Sequence, residues 1–194
     1  MDIYLALVHH PVMNRKGDVV TTSVTNLDIH DLARTARTYG VLGYFVVTPI
    51  SEQRELVSTI VSHWIEGEGR TSNPNRSEAF TRVEVVPSLD AAIDQIRERQ
   101  AAQHGEPASP LVIGTSARKD RATVGFDAMR DRLSNETGAA LLVFGTGWGL
   151  APEALAKCET MLPPIEAIPA RAGYNHLPVR GACAIILDRL LGAR

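Results

Sequence analysis

Little in this sequence invites a covalent or metallic scaffold. Its only cysteines are Cys158 and Cys183. Each falls in a stretch with helical spacing, so a reduced, cytoplasmic setting is expected over a disulfide. His9 and His10 have no Cys, Asp or Glu at ligand spacing; they read as a strand end, and no metal is expected. No run of 18 apolar residues occurs, and no basic n-region with an apolar h-region opens the chain, which argues against a membrane span or a secretory leader. There is no Gly-Lys-Ser/Thr, which excludes a P-loop. Lysine is scarce, because arginine supplies 17 of the 20 basic residues. That bias suits bidentate phosphate forks, and genomic base composition produces it equally. The formal net charge is −2, too balanced for a protein that coats nucleic acid through bulk charge, so any such contact must be a local patch.

What is present is ordinary for a soluble globular chain: 194 residues, 44% apolar and 22% charged, enough for one domain over 1–194 with a real core. Strand and helix patterns alternate. Residues 3–8, 43–48, 81–86, 110–115 and 141–144 read as strands. Helices are expected from Asn26 or Asp28 to about Tyr39, after Ser51 with Leu56, Ile60, Val61 and Trp64 at helical spacing, after Ser88 or Asp90, and over 123–135. Residues 67–77, with Gly67 and Asn73-Pro74-Asn75-Arg76, read as a loop. The alternation predicts an α/β fold, a mostly parallel sheet with right-handed crossovers and helices on both faces.

The stretch 141–191 carries the most chemistry. An apolar run, Leu141-Leu142-Val143-Phe144, is short enough to be a strand buried on both faces. A glycine-dense turn follows, Gly145-Thr146-Gly147-Trp148-Gly149-Leu150, and then a helix start at Ala151-Pro152-Glu153. A second extended piece is expected over 165–169. A polar turn, Tyr174-Asn175-His176, precedes an apolar helix over 181–191. Glycines at a strand's carboxyl end let a ligand reach main-chain groups that a Cβ would shield. The turn is not a dinucleotide fingerprint, because Leu150 stands where the third glycine belongs.

These elements together resemble the knotted half of the SPOUT RNA methyltransferases. The resemblance covers most of the chain and is most specific in 26–41 and 141–188. Asp28-Ile29-His30-Asp31-Leu32-Ala33-Arg34-Thr35-Ala36 is similar to the first motif of that superfamily, with Asp28 in place of an Asn and His30 in place of a Gly. The resemblance implies a deep C-terminal trefoil knot, with a Rossmann-like part over about 1–110 and a knotted, cofactor-binding part over about 111–194. Topology rules alone would not suggest a knot. It also implies S-adenosyl-L-methionine as cofactor, tRNA or rRNA as substrate, and a homodimer in which one subunit's motif completes the other's pocket.

By the same resemblance, the cofactor would be held by Gly114, Thr115 and Ser116, by Phe144, Gly145, Thr146, Gly147 and Leu150, by Ile168 and Pro169, and by Tyr174, Asn175, His176, Leu177 and Val179. Arg118, Lys119 and Arg121 would make a positive rim for RNA. Arg34 falls on the arginine placed at the acceptor nucleotide, where a guanidinium can fork a phosphate or stabilise charge on the attacking oxygen. Asp28, His176 and His30 are candidates for proton handling. Related 2′-O-methyltransferases usually carry a Glu in the glycine turn, and this chain has none; Pro178 stands where relatives often carry Ser. The plainer alternatives are a solvated Arg34 paired to Asp31 and an Asn175 that merely caps a helix. At the level of function, the rivals are a doubly wound enzyme using another nucleotide such as NAD, and a non-catalytic RNA- or cofactor-binding module.

Overall fold

Strand β1, Asp2–Val8, is buried at its last six positions, and a run without alternation demands cover on both faces. In the computed structural model, which describes residues 1–105, 107–168 and 174–193, that cover is complete. β1 lies between β4 (Gly43–Val47) and β7 (Ala139–Gly145) in a six-stranded sheet. With β5 (Val83–Val86), β6 (Leu111–Gly114) and β8 (Thr160–Met161), the order is β5-β4-β1-β7-β6-β8. Every pairing in that sheet is parallel. All carboxyl ends therefore point the same way, and the loops after β1, β6, β7 and β8 emerge along one edge.

Side chains alternate between two cores. Ile3, Leu5 and Leu7 face helices α1 (Asn26–Thr38), α2 (Ser51–Ile65), α6 (Phe126–Asn135) and α8 (Val179–Leu191). Tyr4, Ala6 and Val8 face α5 (Leu89–His104) and the single turn α7 (Pro152–Leu155). Helices thus cover both faces of a parallel sheet, as the strand–helix alternation predicts. Ser88 caps α5 by accepting from Ala91 N.

Several boundaries differ from the sequence reading. Residues 67–77 are not a loop but contain α3 (Gly69–Ser72) and the start of α4 (Pro74–Phe80). Asn73 accepts from Arg76 N as an N-cap and Pro74 takes the first helical position, so the apparent turn signal is a helix start. No strand forms over 165–168; the paired residues are Thr160 and Met161, opposite Ile113 and Gly114. After Leu162, whose N still donates to Gly114 O, come Pro163 and Pro164, and without N–H groups they cannot extend the ladder. α1 is capped by Thr25, not by Asn26 or Asp28. Its C-terminal counterpart α8 starts at Val179 behind Pro178, so Asn175 is not its cap. α6 starts at Phe126, after a 3-10 turn over Lys119–Arg121.

One element carries no apolar run and still decides the site. Strands β2 (Val12–Met13) and β3 (Val19–Val20) form a small antiparallel hairpin. It grips the glycine turn after β7: Met13 N donates to Gly149 O at 2.9 Å, Trp148 N to Met13 O at 2.9 Å, and Ala151 N to Pro11 O at 3.1 Å. Beneath it His9 is fully buried, with Nδ1 3.1 Å from Thr22 Oγ1. That hydroxyl in turn meets Thr146 Oγ1, and Thr146 Oγ1 also meets Val8 O at 3.0 Å.

Two outcomes follow from this packing. Leu142→Ala, at a fully buried position of the central sheet, should lower unfolding free energy by about 2–5 kcal/mol in urea titration. Burial pushes the His9 imidazole down to about 4, with the Asp28 carboxylate pulling weakly the other way. The unfolded chain takes up this proton first, near pH 6.5, so the native state loses stability as pH falls from about 6.5 toward 4. The loss is worth up to about 3 kcal/mol, and His9→Gln should remove it. Equal pH dependence of urea unfolding in wild type and His9→Gln between pH 7 and 4 would show that this ring titrates as an exposed one.

Candidate functional site

The parallel register gathers the expected cofactor loops. Gly114 stands opposite Val143, and Val8 stands opposite both Gly145 and Val47. Thr115 donates to Val143 O from its N at 3.1 Å and from its hydroxyl at 3.0 Å. Leu162 N donates to Gly114 O at 3.0 Å, which brings the chain after β8 to the same edge. Ser116 Oγ accepts from Arg118 N at 3.1 Å.

The glycines serve close packing as much as any ligand. A Cβ on Gly114 would collide with Met161 Sδ and approach Cys158 Sγ to 2.8 Å; one on Gly145 would meet Leu150 N at 2.8 Å. Phe144 is buried, with its ring in the core that faces α1 and α8; only its main chain reaches the loop edge. Within the turn, Thr146 N is used by Val8 O at 3.2 Å and Gly149 N by Thr146 O at 3.0 Å. Leu150 is buried and bridges to Val12, while Gly147 is exposed.

The other expected cofactor residues lie open. Ile168 is 60% exposed, Tyr174 80% and Leu177 46%, and Trp148 in the glycine turn is 63% exposed. Asn175 and His176 are exposed as well, with the His176 ring 5.1 Å from that of Tyr174. Val179 is half-buried against the core at the start of α8. Pro169 lies outside the described residues. Large apolar side chains left in water at the carboxyl edge of a parallel sheet suit a flat, partly apolar ligand such as a nucleoside.

On the acceptor side, α1 and α8 meet at one junction. Asp28 is nearly buried. One carboxylate oxygen accepts from Thr25 Oγ1 at 2.6 Å and the other from Arg180 Nη1 at 3.3 Å. Arg180 Nε also reaches Asp31 at 3.4 Å, so Asp31 does not pair with Arg34 as helical spacing suggests. Arg34 is exposed. It lines an open cleft of about 500 Å³ with Asp31, Thr35, Tyr39, Arg180 and Gly181, and neither Asp28 nor His176 is among the described lining residues. His30 sits one turn before Arg34, its ring 4.7 Å from Phe80 and 5.4 Å from Trp64. Burial lowers its pKa, and Arg76 adds to that.

The charged rim is partly neutralised: Arg118 pairs with Asp120 at 2.6 Å and Lys119 with Glu166 at 2.7 Å. Among the described residues no group of three or more His, Cys, Asp or Glu is placed to hold a metal, and no helix is long and apolar enough to cross a membrane. Sequence reasoning missed two buried or bridging polar groups. Arg180 appears in sequence only as the end of a polar turn, yet it joins α8 to α1. The Tyr44 hydroxyl is fully buried with no hydrogen-bond partner among the described residues; burial, then Cys183 and Asp28, push its pKa well up.

Residues 2–192 match the model of a family described as SAM-dependent RNA methyltransferase. A relative from Nitratidesulfovibrio vulgaris, named tRNA (guanine-N(1)-)-methyltransferase, is 46% identical over 191 residues, covering 98% of this chain and 42% of the relative. The chain thus spans less than half the length of that relative. An uncharacterized protein of Aquifex aeolicus is 36% identical over 189 residues, covering 97% of this chain and 88% of the relative. Among solved structures, the SpoU methyltransferase AviRb from Streptomyces viridochromogenes, in complex with AdoMet, shares the fold at a TM-score of 0.56 and 18% identity, over 97% of this chain and 56% of that one. With its sheet, its strand-end loops and a family model that matches from residue 2 to residue 192, the chain belongs to the SAM-dependent RNA methyltransferases.

Proposed function

We propose that the chain transfers the methyl group of S-adenosyl-L-methionine to a nucleotide of tRNA or rRNA, acting in the cytoplasm as a homodimer. The observation that carries this reading is the set of strand-end loops after β6, β7 and β8, with Trp148, Ile168, Tyr174 and Leu177 exposed along them. In this reading those side chains cover the adenosine, and the main chain around Thr115, Gly145 and Gly147 limits where the methionine part lies. When bound, the cofactor supplies a methyl group already activated by its sulfonium, so the protein's task is alignment at about 3–3.5 Å and control of the acceptor's proton.

Arg34, exposed on α1, holds the acceptor nucleotide's phosphate or the charge on its attacking atom. Asp28 has both carboxylate oxygens engaged, so it acts as the brace that positions Arg180 and α8. His176, free of the core, is the candidate to take the proton. We assign the trefoil knot to the C-terminal part; the supporting observation is that the chain adds β8 beside β6 and then returns as α8 to pack on α1 and α6. The homodimer reading rests on the small residues Gly181 and Ala184 at the start of α8, which let a helix of a second copy approach closely.

The guanine-N1 specificity named for the Nitratidesulfovibrio protein describes a chain of which 42% is matched here. tRNA is accordingly the first pool to test, with the acceptor atom left to product analysis. Calorimetry should show binding of S-adenosylhomocysteine and none of NAD; the opposite result would favour the nucleotide-dependent rival. Wild-type protein should transfer labelled methyl to tRNA or rRNA, and no label in any RNA pool would leave a binding module. Arg34→Ala should lower kcat by about 10²-fold with S-adenosylhomocysteine affinity preserved. Sedimentation should give the mass of two chains.

A further inference from the structure

The excursion between α2 and β5 belongs to neither the cofactor loops nor the α1–α8 cleft, yet it builds a dense cluster around one ring. Trp64, half-buried on α2, is met edge-on by His30 at 5.4 Å and by His63 at 5.2 Å, and lies 5.8 Å from Phe80. The guanidinium of Arg76 on α4 stands 4.7 Å over its face. α3 presses flat against the same ring, since a Cβ on Gly69 would approach Trp64 Cε3 to 2.6 Å.

The cluster is cationic. Arg76 forms no ion pair among the described residues, and its buried Nε has no hydrogen-bond partner. Arg76 and Arg34 lie near the His30 ring, with the carboxylate of Asp31 on the other side of the balance. Asp31 is itself drawn toward Arg180, and Glu78 of α4 is taken by Arg37. His63 is exposed, as is Arg34 one helical turn beyond His30. In a chain of net charge −2, an arginine without a carboxylate partner, beside a half-buried indole and the exposed His63 ring, suits a polyanion with flat bases.

We propose that this α1–α2–α4 cluster is a second RNA contact, in which Arg76 grips a phosphate flanking the modified nucleotide and the exposed His63 ring stacks beneath an unpaired base. Phosphate contacts of this kind set register on the RNA, and stacking tolerates any base. Arg34 lines the α1–α8 cleft one helical turn from His30 of the cluster, so RNA seated here runs on to the proposed acceptor position. The inference rests on the reading of RNA as substrate.

Fluorescence anisotropy with total tRNA and with a labelled oligouridylate tests it. Arg76→Gln should weaken RNA binding about 3–10-fold near 0.1 M salt and reduce the salt slope by about 1, while Arg76→Lys keeps the slope. His63→Glu, at an exposed position, should weaken binding at least as much, and within the Trp64 cluster it removes only the edge contact of the His63 ring. Both variants should bind S-adenosylhomocysteine like wild type and raise KM for RNA with little change in kcat. Unchanged RNA affinity and salt slope in folded Arg76→Gln and His63→Glu, with wild-type methyl transfer intact, would overturn this inference alone. Wild-type protein that binds no RNA would overturn it together with the reading it rests on.

Discussion

The parallel pairing of β1 with β7 is the constraint on which the rest depends. It runs in unbroken register from Asp2 opposite Ala139 to Val8 opposite Gly145. It joins the start of the chain to a segment more than a hundred residues away. Parallel strands cannot be linked by a tight turn, so this contact needs everything between them to have crossed the sheet correctly. Strands from the first part of the chain lie on one side of the pairing and those from the last part on the other. The result is a single sheet with a core on each face, and burial of apolar surface on both faces is what holds the register in place.

The chemistry inherits its geometry from that register. Because Val8 and Gly145 end side by side, His9 and Thr146 are neighbours, and Thr22 joins them through hydroxyl and imidazole. The glycine turn is therefore held by the hairpin on one side and open on the other. On the opposite core, the Asp28–Arg180 pair ties the first turn of α1 to the first turn of α8. Both Asp28 oxygens are engaged at this junction, whereas Arg34 in the same motif is exposed. Two residues four apart on one helix, His30 and Arg34, then look into different surroundings, one aromatic and one open.

Stability and function use different parts of the same elements. Phe144 and Leu150 hold the strand and the turn by burial. Trp148, Ile168, Tyr174 and Leu177 are left to water, and on that exposure the proposed cofactor site rests. Similarly, Gly114 and Gly145 are required by sulfur and main-chain atoms of the fold itself, so a glycine-dense turn is evidence of close approach before it is evidence of a cofactor.

The sequence by itself determined five of the six strands of the main sheet and most of the helices, because apolar runs such as those at 3–8 and 141–144 are stable in the middle of a covered parallel sheet. It also carried the family resemblance, through residues clustered along the chain in 26–41 and 141–188. Where two local rules compete, it was mute: Asn73-Pro74 signals a turn and a helix start equally, and an apolar segment at 165–168 looks extended until Pro163 and Pro164 have ended the ladder. Only the tertiary structure decided that Asp31 turns to Arg180 and not to Arg34, that a hairpin of two-residue strands clamps the glycine turn, and that Arg76 lies over Trp64. Each of those is a contact between segments that no local pattern links, and its energy exists only after the sheet has brought the partners together.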